Sequence, residues 1–194
     1  MRKKKRKKVI TMKIGVYVGS FNPPHKGHKK IANHLVKNKY VDKVLIIPTS
    51  NYWNKTNLVN LEHRLNMLNF FKTDNIIIND TLNNIEYTYQ ILRELKKDGN
   101  EYSLILGADN IIDFHKWNYY EELLELELLI INRDNINVKE HLDKLNKKEK
   151  YKIIDIKNID ISSTYIRNKL NNKTITKYID KEILEYIKKE NLYS

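Results

Sequence analysis

Apolar residues in this chain gather in six short runs separated by longer stretches of mixed character. The runs fall at 13–18, 43–48, 75–78, 102–106, 126–131 and 152–156, and each has the length and Ile/Val/Leu content of a buried strand. Between and after them, apolar positions recur with helical spacing at 28–38, 61–71, 87–97, 119–124, 139–146, 163–170 and 181–190. Strands alternating with helices predict an α/β fold, an open parallel sheet with helices on both faces and right-handed crossovers. The segment 50–60 is polar and without period, and is read as a mobile loop. No internal repeat and no long linker interrupts the pattern.

In open sheets of this kind, ligands bind outside the carboxyl ends of the strands. Three stretches fall at that edge. The first is Gly-Ser-Phe-Asn-Pro-Pro-His-Lys-Gly-His, from Gly19 to His28, between the first strand and the first helix. A glycine and proline turn entering a helix N-terminus brings backbone N–H groups and a partial positive charge to one place, which suits phosphate. His25 and His28 share the side of that first turn and could donate to phosphate oxygens. Metal ligation suits them less, since no third ligand lies nearby in sequence.

The second stretch is Ile161-Ser-Ser-Thr-Tyr-Ile-Arg167, after the last strand. Ser162, Ser163 and Thr164 read as an N-cap, and Arg167 lies four residues past Ser163 on the same helical face. Hydroxyls, free N–H groups and a guanidinium one turn in form a cradle for polyphosphate. The third is Gly107-Ala-Asp109, followed by a helix-like stretch with Trp117. Asp109 is either a ribose ligand or a plain N-cap, and Trp117 either stacks on a flat ring or belongs to the core. Lys55 and Arg133 are loop cations, open to phosphate contact or to solvent.

Composition changes the picture little. The 194 residues are 41% hydrophobic and 31% charged, as in globular proteins that bury a core. The absence of cysteine excludes disulfides and thiolate metal sites and agrees with a cytoplasmic setting. No apolar run nears the roughly 18 residues of a membrane span. The net charge is +12, but Arg2–Lys8 supply seven of those charges, leaving +5. Residues 1–11 are therefore expected to be a disordered basic extension, or a lead ahead of a start at Met12, with 12–194 as one domain. An RNA-binding module led by that tail is the competing class of function. The chain has no aromatic-rich strand motif for base stacking, and no stable nucleic-acid partner is expected.

His25-Lys-Gly-His28 and Ile161-Ser-Ser-Thr-Tyr-Ile-Arg167 together resemble the H-x-G-H and I-S-S-T-x-x-R signatures of a nucleotidyltransferase superfamily with a Rossmann-like fold. Within it the chain is most similar to the bacterial nicotinate-nucleotide adenylyltransferases. The stretches Asn60-Leu-Glu-His-Arg64-Leu-Asn-Met67-Leu, Glu86-Tyr-Thr88, Gly107-Ala-Asp109 with Trp117, Arg133, and the ending 181–193 support that likeness. The resemblance implies adenylyl transfer from ATP to nicotinate mononucleotide, giving the dinucleotide and pyrophosphate in NAD biosynthesis. An enzyme preferring nicotinamide mononucleotide is the neighbouring alternative.

The resemblance implies a catalytic set of His25, His28, Lys55 and Arg167. It implies an ATP site of Gly19, Ser20, Phe21, Gly107, Asp109, Ile161, Ser162 and Ser163. Asn22, Thr88, Trp117 and Arg133 would meet the mononucleotide. Mg²⁺ would bridge phosphates without a protein-held metal site, and a homo-oligomer is compatible with all of this. Two departures touch the acceptor side. Asn22 stands where bacterial members more often carry Asp, and 48–55 reads Pro-Thr-Ser-Asn-Tyr-Trp-Asn-Lys, ending on the lysine that matches.

Overall fold

The computed structural model describes residues 11–49, 58–133, 136–157 and 161–193. The expected mobile loop and Lys55 fall largely or wholly in 50–57, and the basic tail in 1–10, so these readings lie outside the described residues. The six strands are β1 Lys13–Gly19, β2 Lys43–Pro48, β3 Ile76–Ile78, β4 Glu101–Gly107, β5 Glu127–Asn132 and β6 Tyr151–Asp155. The helices are α1 Lys26–Lys37, α2 Leu61–Asn69, α3 Thr88–Leu95, α4 Ala108–Ile112, α5 Tyr120–Leu124, α6 Val138–Lys144, α7 Ser163–Asn168 and α8 Lys181–Lys189.

All six strands pair in parallel, in the order β3-β2-β1-β4-β5-β6. The order reverses direction between β1 and β4, which makes a crevice at their carboxyl ends. Val16 sits at the centre of the register, opposite Leu45 on one side and Leu104 on the other. β1, β2, β4 and β5 are largely apolar on both faces because each face is covered, whereas the edge strand β6 buries only Ile154. Val44, Ile46, Leu129 and Ile131 point to a core with α1, α2, α7 and α8. Leu45, Ile47, Leu128 and Ile130 point to the opposite core with α3, α4, α5 and α6. Each Leu or Ile fully removed from water there contributes about 2 kcal/mol before entropy is counted.

Boundaries differ from the sequence expectation where local chemistry overrides period. Helix α1 starts at Lys26, two residues before the expected 28, with His25 as its N-cap. The helix-like stretch expected after Gly107 is the five-residue α4, followed by a 3₁₀ turn, Phe114–Lys116, that ends at Trp117. Both are too short to print a period of 3.6. Helix α3 tightens into a 3₁₀ turn, Lys96–Asp98, and stops at Gly99, whose φ of +80° a glycine adopts without strain. No helix among the described residues is long and apolar enough to cross a membrane.

Candidate active site

Strand β1 delivers the chain to the crevice and then turns sharply. Phe21 takes a φ of +46°, in the left-handed region that costs a side-chain-bearing residue. Its ring is buried and meets Tyr17 and His28 edge-on, at centroid distances of 5.3 and 4.9 Å. The Asn22–Pro23 peptide is cis. Carbonyls along this turn are held from elsewhere in the chain. Arg64 Nη1 donates to Ser20 O at 2.9 Å, Arg167 Nη1 to Asn22 O at 2.6 Å, and Ser163 Oγ to Pro23 O at 2.9 Å.

Arg64 is the unexpected anchor. It lies on α2 and is fully buried. Besides Ser20 it donates to Thr49 O at 2.6 Å, and its Nε to Val59 O at 3.0 Å. One guanidinium thus ties the ends of β1 and β2 to the entry of α2. Burial pulls its pKa down to about 10, and it stays charged at neutral pH. Sequence reading left Arg64 among the supporting stretches. The signal was there: 64, 67, 68 and 71 form one helical stripe, and Met67, Leu68 and Phe71 are all core. A cation on such a stripe has a buried partner set.

The imidazoles of His25 and His28 stack, 3.6 Å apart at 24°. The backbone N–H of His25 donates to His28 Nδ1 at 3.2 Å. That nitrogen is therefore an acceptor, and in neutral His28 the proton sits on Nε2. His25 is 4% exposed, and its Nδ1 is buried without a hydrogen-bond partner among the described residues. Burial, and then the charge of Arg133, push His25 down to about 3. His28 is lowered well below its ordinary value by burial, by His25 and by Arg133. Both rings are neutral at pH 7 in the ligand-free protein. A polyanion in the crevice would reverse the electrostatic part of that shift.

Helix α7 meets the turn from the other side. Ser162 caps it, accepting from the Tyr165 N–H at 3.1 Å, and Arg167 also donates to Thr164 Oγ1 at 3.1 Å. The contact is close at Gly27: a Cβ there would come within 3.0 Å of both His25 and the Ile161 methyl. His25, His28, Ser162, Ser163 and Arg167 line one cavity of about 640 Å³, with Gly19, Ser20, Phe21, Asn22, Gly107, Trp117, Arg133 and Ile161. Thr164 lines it too, as do Tyr17 and Asn110, which the sequence did not single out.

Two expected residues stand apart from its walls. Asp109 accepts from Arg133 Nε at 3.0 Å and pairs with Nη2 at 2.6 Å, making a part-exposed ion pair beside Gly107. Thr88 opens α3 and is absent from the lining. Asn22 lines the cavity, but its Oδ1 is occupied by Val59 N–H at 3.2 Å and Tyr193 OH at 2.8 Å. Trp117 packs on Phe114, centroids 5.2 Å apart, and so serves both the second core and the cavity wall.

Comparison with known proteins agrees with this geometry. The family described as Cytidylyltransferase-like matches residues 16–169. A Fusobacterium nucleatum chain named "Probable nicotinate-nucleotide adenylyltransferase" is 37% identical, covering 92% of this chain and 98% of its own. A Flavobacterium johnsoniae chain of the same name is 32% identical over 94% and 99%. Among solved structures, Plasmodium falciparum nicotinic acid mononucleotide adenylyltransferase complexed with NaAD superposes with a TM-score of 0.81. It is 27% identical and is covered to 97%, against 93% of this chain. On its fold, its paired motifs and these likenesses, the chain belongs to the Cytidylyltransferase-like family and, within it, to the nicotinate-nucleotide adenylyltransferases.

Proposed function

We propose that this chain transfers the adenylyl group of ATP to nicotinate mononucleotide, yielding nicotinate adenine dinucleotide and pyrophosphate in NAD biosynthesis. The observation that carries the reading is the meeting of His25 and His28 with the start of α7 and Arg167 in one cavity at the β1/β4 crevice. A phosphate oxygen of the mononucleotide attacks the α-phosphorus of ATP, and the bond from that phosphorus to the oxygen of pyrophosphate breaks. No covalent enzyme intermediate is required, and catalysis is positioning plus charge stabilisation.

His28 presents Nε2–H toward the transferring phosphate, its tautomer set by the backbone hydrogen bond at Nδ1. His25, neutral before binding, gains a proton or donates a hydrogen bond as negative charge arrives. Ser162, Ser163 and Arg167 take the outer phosphates, with Arg167 turning from Asn22 O to do so. Asp109 takes ribose hydroxyls once Arg133 shifts toward the acceptor phosphate. Trp117 stacks on the pyridine ring, and Lys55 adds a cation from its loop. The cavity walls contain no Asp or Glu among the described residues, which suits Mg²⁺ arriving on the triphosphate and held by its oxygens. The acid rather than the amide is favoured because the relatives are named for nicotinate.

The test is an assay with ATP, Mg²⁺ and each mononucleotide in turn, reading pyrophosphate release. The expected result is turnover with nicotinate mononucleotide at more than about tenfold the kcat/KM seen with the amide, a preference of over 1.4 kcal/mol. Equal rates would withdraw the acid assignment, and no release with either would withdraw the reaction.

A further inference from the structure

The segment after α8 turns back onto the crevice. Tyr193 is half-buried with a φ of +65°, a left-handed angle retained where surroundings over-determine the backbone. Its hydroxyl donates to Asn22 Oδ1 at 2.8 Å. The same oxygen accepts the Val59 N–H at 3.2 Å, and the Asn22 carbonyl accepts Arg167 at 2.6 Å. Asn22 is 5% exposed and lies in the turn whose other carbonyls Arg64 and Ser163 hold. Burial pushes the Tyr193 phenol up, against the pull of Arg167 and Arg64, so it remains a donor at neutral pH.

A tyrosine on α8 itself gives an internal contrast. Tyr186 also places its hydroxyl against other side chains, 2.9 Å from His63 Nδ1 and 2.9 Å from Asn66 Nδ2. Those partners belong to α2, so that contact joins two helices. Tyr193 instead directs its polar atom at the turn between β1 and α1. Packing alone would ask only for its ring.

We infer that Tyr193 is a positioning residue for adenylyl transfer: acting through Asn22, its hydroxyl holds the turn over 20–25 at the height where His25 and His28 meet the triphosphate. The inference rests on the phosphate role proposed for that turn. It places the residues after α8 within the machinery of the site, beyond the packing that an amphipathic terminal helix supplies.

Hydrogen exchange of the full ligand-free chain, compared for Tyr193→Phe and Tyr186→Phe, tests it. Each variant loses one hydroxyl and keeps its ring. In Tyr193→Phe, exchange quickens about fivefold, and only in peptides covering 19–25 and 58–60. In Tyr186→Phe those peptides keep the wild-type rate. With ATP and nicotinate mononucleotide, Tyr193→Phe lowers kcat about fivefold while both KM values stay within about twofold. Adding Tyr193→Phe to Asn22→Ala quickens exchange no further, because the hydroxyl has then already lost its acceptor. Unchanged exchange at the turn, an increase spread over the whole chain, the same result in Tyr186→Phe, or an unchanged kcat would each overturn the inference. Wild-type protein that releases no pyrophosphate would instead sink the proposed reaction, and the exchange result would still decide whether Tyr193 holds the turn.

Discussion

The two sides of the crevice are built on different principles. On the β1 side, the turn into α1 is fixed through its backbone: Arg64, Arg167 and Ser163 hold its carbonyls, and Tyr193 and Val59 hold the Asn22 side chain. On the β4 side, the rim carries the ion pair of Asp109 with Arg133, whose side chains are 44% and 32% exposed. A buried guanidinium among carbonyls cannot leave without stranding them, whereas an exposed pair exchanges partners at little cost. In the proposed reaction the Arg64 anchor of the first side is therefore in place before substrate arrives and Arg167 alone of its cations turns to the phosphates, while the second side rearranges around the substrate. Pre-organised donors suit the transferring phosphate, and adaptable charges suit the ribose and the acceptor.

The contrast can be broken most severely at His28. His28→Ala should lower kcat by two to three orders of magnitude, the range for one lost transition-state donor, with the fold intact by circular dichroism. A loss below about threefold would remove His28 from the chemistry. Next comes the anchor: Arg64→Met leaves the carbonyls of Ser20, Thr49 and Val59 without this donor and should cost about 3 kcal/mol in urea unfolding.

Those two residues also mark how far the sequence was legible. The six apolar runs located every strand to within a residue or two, because the inner strands are buried on both faces and even the exposed edge strand β6 keeps a β-branched centre at Ile153–Ile154. The meeting of His25, His28, Ser162, Ser163 and Arg167 in one cavity was legible because both motifs follow strands of one parallel sheet and so fall at its carboxyl edge. The partners of Arg64 and Tyr193 were not, since they are main-chain and amide oxygens, the farthest of them 44 and 171 positions away. Such carbonyls leave no mark on residue identity. The ion pair of Asp109, read in the sequence as either a ribose ligand or a plain N-cap, was hidden for a related reason: it joins the first turn of α4, after β4, to the residue that follows β5, 24 positions away.

A smaller effect separates the sides by pH. The unfolded chain takes up a proton at His25 near pH 6.5, whereas the folded chain does so only near pH 3. The unfolded state therefore binds more protons in that window, and this imidazole makes stability fall as pH drops below 6.5. Replacing it, as His25→Asn, should flatten the pH dependence of urea-unfolding stability between pH 6 and 5 by about 1 kcal/mol per unit. An unchanged slope would mean that the ring is already charged. Asp109→Asn should shift stability by less than about 0.5 kcal/mol, as expected for a part-exposed pair, while raising the KM for ATP. A stability loss as large as that of Arg64→Met would abolish the distinction drawn between the two sides. Smallest of all should be Asn22→Asp: a carboxylate still accepts from Tyr193 and Val59, so kcat should stay within about twofold.

Gly27 carries one more implication. It sits against both the first histidine and the isoleucine that opens the late motif, and a methyl group there would force its neighbours apart by a few tenths of an ångström. The middle letter of His-Lys-Gly-His is thus a gauge block for the whole cleft. It lets two stretches of chain that never meet in sequence come into contact, and so brings the groups proposed to hold phosphate to one cavity.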